Sequence, residues 1–256
     1  MAMTVAGPFV QVEHAQTGTR EEASAPIPVP VRVLDGMFVL GADYAREQRP
    51  GTTLSALGLT ALFLPHAKEG APKAFFEVGR YGHPTPFRDA KPMVEATVGG
   101  FASGPDLPAW TRTEPNDEVT VQLALQVRSF PGFREWYPDA RYRLQKASGW
   151  FVDLEGPVHV LAGYEAPAMA WAVYGGVRWD TRAYPVAQVG WLDGYAESRI
   201  VGVRYQISSP LHVALEAGYH REWERLLDEQ GRKLATQNSA LAPWARLALE
   251  TWIRTP

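Results

Sequence analysis

A strict two-residue alternation runs through Glu118-Val119-Thr120-Val121-Gln122-Leu123-Ala124-Leu125-Gln126-Val127-Arg128. Odd positions are apolar, and even positions are mostly polar. Because successive side chains of a β-strand point to opposite faces, this pattern predicts a strand with one apolar face and one polar face. Strands of globular proteins usually run about 5–6 residues, whereas a tilted strand needs about 9–11 residues to cross a bilayer. The length therefore favours a transmembrane β-barrel.

The same alternation recurs along most of the chain. It is clearest at residues 168–182, 195–208, 210–224 and 241–253, and residues 149–165 are predicted as one long strand. Turn-forming residues separate these segments, as in Phe130-Pro131-Gly132. We predict an all-β fold, a closed antiparallel up-and-down transmembrane barrel of about twelve strands, with an uncertainty of about two because strand boundaries are hard to place.

Composition excludes several other classes of protein. No run of about 18 apolar residues is present, which argues against a helical membrane protein. A formal net charge of −3 gives no sign of nucleic-acid binding. The absence of cysteine excludes disulfides and thiolate metal sites. The 9 Trp, 10 Tyr and 10 Phe residues are numerous enough to form aromatic girdles at two membrane interfaces.

The N-terminal region differs from the rest of the chain. Residues from Gln11 to about Pro30 are polar and then proline-rich. Residues 1–28 are therefore predicted to form a disordered or extended lead-in. Residues 29–256 are predicted to form a single barrel domain. The opening residues lack the basic region and the apolar stretch of a signal peptide. For an outer-membrane protein, we expect that such a signal was removed.

About residues 30–253 resemble a known class of proteins, and the resemblance is clearest toward the C-terminus. The residues that carry the resemblance are Arg199-Ile200-Val201-Gly202-Val203-Arg204-Tyr205-Gln206-Ile207, Leu211-His212-Val213-Ala214-Leu215-Glu216-Ala217-Gly218-Tyr219 and Leu241-Ala242-Pro243-Trp244-Ala245-Arg246-Leu247-Ala248-Leu249. This texture resembles the closing strands of uncharacterised Gram-negative outer-membrane β-barrels. The resemblance implies a location in the bacterial outer membrane, with membrane lipid and the barrel-insertion machinery as partners. It implies no oligomeric state.

Charged residues of both signs fall on the predicted polar faces. Such residues would either pair across strands and fill the interior, or line a water-filled path with weak ion preference. The expected function is that of a passive, porin-like channel or an envelope component. The sequence names no solute. The candidates for the lumen lining are Arg128, Arg141, Arg143, Asp153, Arg178, Arg204, Glu216, Arg246 and Glu250.

Two other functions stay open from the sequence. If Ser208-Ser209-Pro210 forms a turn, the hairpin register places Ser198 opposite His220, with Glu222 close by. These residues are weak candidates for a nucleophile, a base and an orienting acid of a barrel hydrolase. Alternatively, a soluble barrel would turn its apolar faces inward around a small apolar ligand.

No metal or cofactor site is predicted. His212, Glu216 and His220 have a spacing of four residues, which aligns side chains on a helix. On a strand the same spacing separates successive residues by about 13 Å. These side chains therefore could not share one ion.

Overall fold

The computed structural model describes residues 4–31, 36–65, 73–82, 92–103, 107, 117–156, 159–166, 170–186, 188–208 and 210–254. These residues form sixteen β-strands in a single sheet. The strands are β1 Thr4–Ala15, β2 Gly18–Ser24, β3 Ile27–Val31, β4 Gly36–Arg49, β5 Thr52–Pro65, β6 Lys73–Gly82, β7 Met93–Ser103, β8 Glu118–Ser129, β9 Arg134–Gln145, β10 Trp150–Glu155, β11 His159–Glu165, β12 Trp171–Val186, β13 Gly190–Ser208, β14 Leu211–Asp228, β15 Lys233–Asn238 and β16 Ala242–Arg254.

The sheet closes on itself. Each strand pairs antiparallel with its neighbours, and β1 pairs with β16 to complete the ring. Strands β2 and β3 lie end to end along β4, and β15 and β16 lie end to end along β14. The described residues therefore form fourteen strand positions around the ring. The predicted closed antiparallel barrel is confirmed, with a strand number at the upper end of the expected range.

The N-terminal region corrects the predicted domain boundary. Strand β1 pairs with both β2 and β16, so residues 4–24 form part of the barrel wall instead of a lead-in. Residues 1–3 lie outside the described residues. The prolines misled the prediction, because Pro28 lies in β3, which pairs only with β4 among the described residues. Proline is tolerated in a strand that leaves one side unpaired.

The two faces of the wall differ in chemistry as the alternation predicts. Apolar side chains point outward and are exposed, whereas most charged side chains point inward. Inward and outward residues alternate along β14, where Ala214 and Glu216 are buried and Leu215 and Ala217 are exposed. The exposed outward residues include Val10, Val12, Leu40, Leu57, Leu59, Val98, Leu123, Leu125, Val201, Val203, Leu215, Leu247 and Leu249. No helix in the described part of the chain is long and apolar enough to cross a membrane.

The short β10–β11 hairpin leaves part of β12 without a described neighbour on one side. Residues 149–165, predicted as one strand, form the two short strands β10 and β11. Strand β11 pairs with β12 as far as Val177, and among the described residues the rest of β12 pairs with β13 alone. This upper part of β12 leans across the lumen, because Arg128 of β8 donates a hydrogen bond to Thr181 of β12 although the two strands are not adjacent in the sheet.

Apolar side chains hold the β12–β13 hairpin in place over the lumen. Trp191, near the start of β13, packs with Met93 of β7 and with Phe130. The rings of Phe130 and Trp191 lie 5.6 Å apart in an edge-on arrangement, which is a favourable geometry for two aromatic rings. The β12–β13 hairpin thus covers part of the barrel mouth at the end away from the two termini.

Candidate functional site

The β13–β14 hairpin brings together the three residues proposed as a triad. Ser198 and His220 are direct cross-strand partners. The Ser198 Oγ lies 2.9 Å from His220 Nδ1, and His220 Nε2 lies 3.1 Å from Glu222 Oε1. All three side chains are buried and point into the lumen. The register that the sequence predicted for this hairpin is therefore confirmed.

The surroundings of this chain of hydrogen bonds favour a structural role. Glu222 also binds Arg182, so its charge is already neutralised by a guanidinium group. Ser198 is 1 % exposed, whereas a nucleophile needs space for a substrate carbonyl within about 3 Å. The hydrogen bonds of Ser198, His220 and Glu222 therefore connect β13 to β14 on the lumen side of the wall.

Arg182 is the centre of a group of buried ion pairs. Its guanidinium lies 3.1 Å from a carboxylate oxygen of Glu13 and also binds Glu222. A carboxylate oxygen of Glu47 lies 3.9 Å from it. Burial of a charge is costly unless the charge is paired, so the loss of one partner is expected to destabilise the interior. We call the group of Glu13, Glu47, Arg49, Arg182, Glu222 and Glu224 the buried cluster.

Arg49 supplies the second cation of the buried cluster. Its Nε lies 2.5 Å from Glu47, and its Nη1 lies 2.6 Å from Glu224. Glu47, Glu222 and Glu224 each place one carboxylate oxygen within 4.8 Å of the others, a spacing that a metal ion could bridge. Arg49 and Arg182 already bind these carboxylates, so two guanidinium groups face the three acidic side chains.

Sequence analysis missed most of the buried cluster. Glu13 fell in the region predicted as a lead-in, and Arg182 lies at the end of a predicted strand. Glu47 and Arg49 lie at alternate positions of β4, on the face that points inward. This alternation is the one signal in the sequence that could have identified them.

A second group of paired charges includes four predicted lumen residues. Glu216 accepts a hydrogen bond of 2.8 Å from Tyr174 and also binds Arg178 and Arg246. Arg246 in turn lies 2.8 Å from Glu250. Arg178, Glu216, Arg246 and Glu250 thus meet in the lumen as a pairing network, which is one of the two interpretations that the sequence left open.

The wall at β9 and β10 carries inward charges that are more exposed. Arg141 lies 2.6 Å from Glu155 and 3.4 Å from Asp139, and Arg143 lies 3.5 Å from Asp153. The Arg141 side chain is 49 % exposed, whereas that of Arg182 is 5 % exposed. We call Asp139, Arg141, Arg143, Asp153 and Glu155 the exposed ladder. Water reaches this side of the lumen.

The remaining predicted residues lie apart from these groups. Arg128 binds Glu95 at 2.8 Å near the covered mouth. Arg204 binds Glu165 at 2.9 Å toward the end of the barrel that holds the termini. His212 contacts the backbone oxygen of Pro210 and lies on the same strand as His220. As expected for a strand, the two histidines are too far apart to share an ion.

Comparison with known proteins gives limited information. No protein-family model matches the chain, and no curated protein matches it. Among solved structures, a NanC porin aligns over 96 % of this chain and 99 % of its own, with 8 % identity and a TM-score of 0.45. OmpT, an outer membrane protein of Vibrio cholerae, aligns over 98 % of this chain and 97 % of its own, with 10 % identity and a TM-score of 0.28. At such low similarity, the function of this chain has to be inferred from its own residues.

Proposed function

We propose that this protein is an integral barrel of the bacterial outer membrane that acts as a narrow passive channel for small hydrophilic solutes. The observation that carries the proposal is the exposed ladder, a set of charged, water-accessible side chains on the inner face of a wall whose outer face is apolar. Strands with an apolar outer face and a polar inner face are typical of transmembrane barrels.

The outer surface supports the membrane location. Val201, Leu215 and Leu247 belong to three neighbouring strands and are each more than half exposed. A large exposed apolar surface is unfavourable in water and marks a site of contact with lipid or with another protein. The partners implied are outer-membrane lipid and the barrel-insertion machinery.

The soluble alternative fits the structure less well. A soluble barrel that carries an apolar ligand would need apolar side chains inside and charged side chains outside. The described strands have most of their charged side chains inside. A closed, apolar cluster of Val39, Leu64 and Phe75 does occupy one part of the interior, but the lumen as a whole is polar.

The lumen is narrow because side chains occupy most of it. The buried cluster fills the side formed by β1, β4 and β14, and the leaning part of β12 reduces the remaining cross-section. Barrels of about 16–18 strands leave an open channel, and barrels of about 8 strands are filled. A barrel with fourteen strand positions and these ion pairs is expected to conduct weakly, along the exposed ladder.

Two measurements test this function in sequence. The purified chain is first refolded with and without detergent, and a heat-modifiable form on a gel is expected only with detergent. Ion selectivity is then measured in planar bilayers from the reversal potential in a salt gradient. The double variant Arg141→Glu/Arg143→Glu should shift the selectivity toward cations.

The matched control changes an arginine that faces outward. Arg199 lies on the outer face of β13, with a side chain that is 54 % exposed. The variant Arg199→Glu should leave the selectivity unchanged. A folded wild-type barrel without any conductance would refute the channel. If the double variant had the same ion selectivity as the wild type, the ions would not pass along the exposed ladder.

A further inference from the structure

Two arginines lie among the apolar side chains of the outer face. Arg199 of β13 and Arg221 of β14 have side chains that are 54 % and 37 % exposed. They share a face with Val201 and Leu215, because side chains an even number of residues apart on a strand point the same way. A charge within the hydrocarbon core of a bilayer is costly. The two arginines are therefore expected to lie at the height of the lipid headgroups.

Aromatic rings mark this height on the wall. The rings of Trp179, Tyr195 and Trp223 are stacked on one another, with centroids between 4.9 and 5.6 Å apart. Trp171 lies eight residues before Trp179 on β12 and pairs with the exposed Tyr205. Eight residues of a tilted strand span about 20 Å across a membrane, close to the apolar band of about 25 Å in outer-membrane barrels. The stacked rings thus mark one interface, at the end away from the termini.

A single carboxylate holds the two arginines side by side. Glu197 accepts a hydrogen bond of 2.8 Å from Arg199 Nε and one of 2.6 Å from Arg221 Nη2, through different oxygens. The guanidinium carbon of Arg221 also lies 4.2 Å from the centre of the Trp223 ring, a favourable contact between a cation and an aromatic face. Both guanidinium groups are therefore held in position before any ligand binds.

The charges of this group do not cancel. Two guanidinium groups and one carboxylate leave one positive charge within the trio of Glu197, Arg199 and Arg221. Of the Arg199 guanidinium, Nε alone is hydrogen bonded within the described part of the chain, so its two terminal nitrogens can donate to a ligand. Arginine donates paired hydrogen bonds to the oxygens of a phosphate group. A phosphate headgroup thus matches the site in charge, in hydrogen bonding and in membrane height.

We propose that Arg199 and Arg221 bind the anionic phosphate headgroup of a membrane lipid, whose acyl chains lie along the apolar wall beside Val201 and Leu215. The proposal rests on the membrane location proposed above and adds a defined lipid site to it. Lipid binding in detergent micelles does not require conduction. A barrel without conductance could still carry this site, so the two proposals can fail separately.

The test is native mass spectrometry of the full chain, refolded in detergent and mixed with phosphatidylglycerol or with phosphatidylcholine of the same acyl chains. The wild type should retain the anionic phosphatidylglycerol in preference to the zwitterionic phosphatidylcholine. The variant Arg199→Gln/Arg221→Gln should weaken the binding of phosphatidylglycerol about tenfold, because it removes hydrogen bonds from charged donors.

The matched control removes two exposed arginines that each pair with a carboxylate of their own. Arg46 lies 3.8 Å from Glu21, and Arg232 lies 2.6 Å from Asp228. The variant Arg46→Gln/Arg232→Gln changes the net charge by the same amount and should retain phosphatidylglycerol like the wild type. An equal loss in this control would overturn the site in favour of a general charge effect.

Each variant is first checked for a heat-modifiable folded form. If the double variant at the site does not fold, Arg199→Gln takes its place, because it leaves Arg221 bound to Glu197, and it should still weaken binding. Equal retention of the two lipids by the wild type would overturn the proposal in favour of acyl-chain contact alone. Displacement of phosphatidylglycerol by an equal concentration of sodium phosphate would overturn it in favour of a free-phosphate site. Failure of the wild type to fold with detergent would overturn the membrane location and the lipid site together.

Discussion

The two sides of the lumen use the same residue types for different purposes. In the buried cluster, Arg182 contacts carboxylates from β1, β4 and β14 and is almost inaccessible to water. In the exposed ladder, Arg141 contacts carboxylates on its own strand and on the adjacent β10, and half of its side chain is exposed. Burial makes the loss of one partner costly in the first set of pairs, and exposure leaves the second set available to ions.

The largest effect is expected from Arg182→Met. This variant leaves the carboxylates of Glu13 and Glu222 buried without their main partner, and loss of one member of a buried ion pair costs about 3–5 kcal/mol. The measurement is urea unfolding in detergent micelles, followed by tryptophan fluorescence. An effect as small as that of Arg141→Met would remove the distinction between the two sides.

A somewhat smaller effect is expected on the outer face. Leu215 is 58 % exposed and lies near the middle of the apolar stretch of β14. Leu215→Arg should destabilise the barrel in lipid by about 2–4 kcal/mol, because an arginine at the bilayer midplane lacks water. The measurement is refolding into lipid vesicles across a urea series. Gln122→Arg, on the lumen side of β8, is the control, and an equal loss there would contradict the outward lipid contact.

The Ser198–His220 contact belongs to the buried side and should contribute modestly. Ser198→Ala removes one hydrogen bond and should cost about 1 kcal/mol, measured by the same unfolding assay. Because Ser198 is buried, the wild type should not react with a fluorophosphonate probe. Labelling that disappears in Ser198→Ala would instead establish a reactive serine and favour the hydrolase.

The smallest effect on stability is expected from Arg141→Met. Its ion pairs are exposed, so their loss should cost less than about 1 kcal/mol. The same variant should still alter single-channel conductance, measured in planar bilayers at low and high salt. A large loss of stability without any change of conductance would show that the exposed ladder stabilises the barrel and does not line the ion path.

The alternation predicted the faces of the strands because it is a local property. Side chains two residues apart share a face whatever the rest of the chain does. The register of the β13–β14 hairpin was also predictable, since a short turn fixes which residues oppose each other. Two predictions failed where a local signal was misleading. Residues 149–165 were predicted as one strand, although Gly156 lies in a turn after β10. The proline-rich segment was predicted as part of a lead-in, although it contains β3, a strand with one unpaired side.

Sequence alone determined that this chain forms a barrel with apolar residues on one face and charges on the other. Only the tertiary structure decided which charges lose contact with water. Arg182 and Glu13 are 169 positions apart and meet because β12 leans across the lumen toward the strands that close the ring. Burial depends on every strand around a side chain, and no pattern within one strand contains that information.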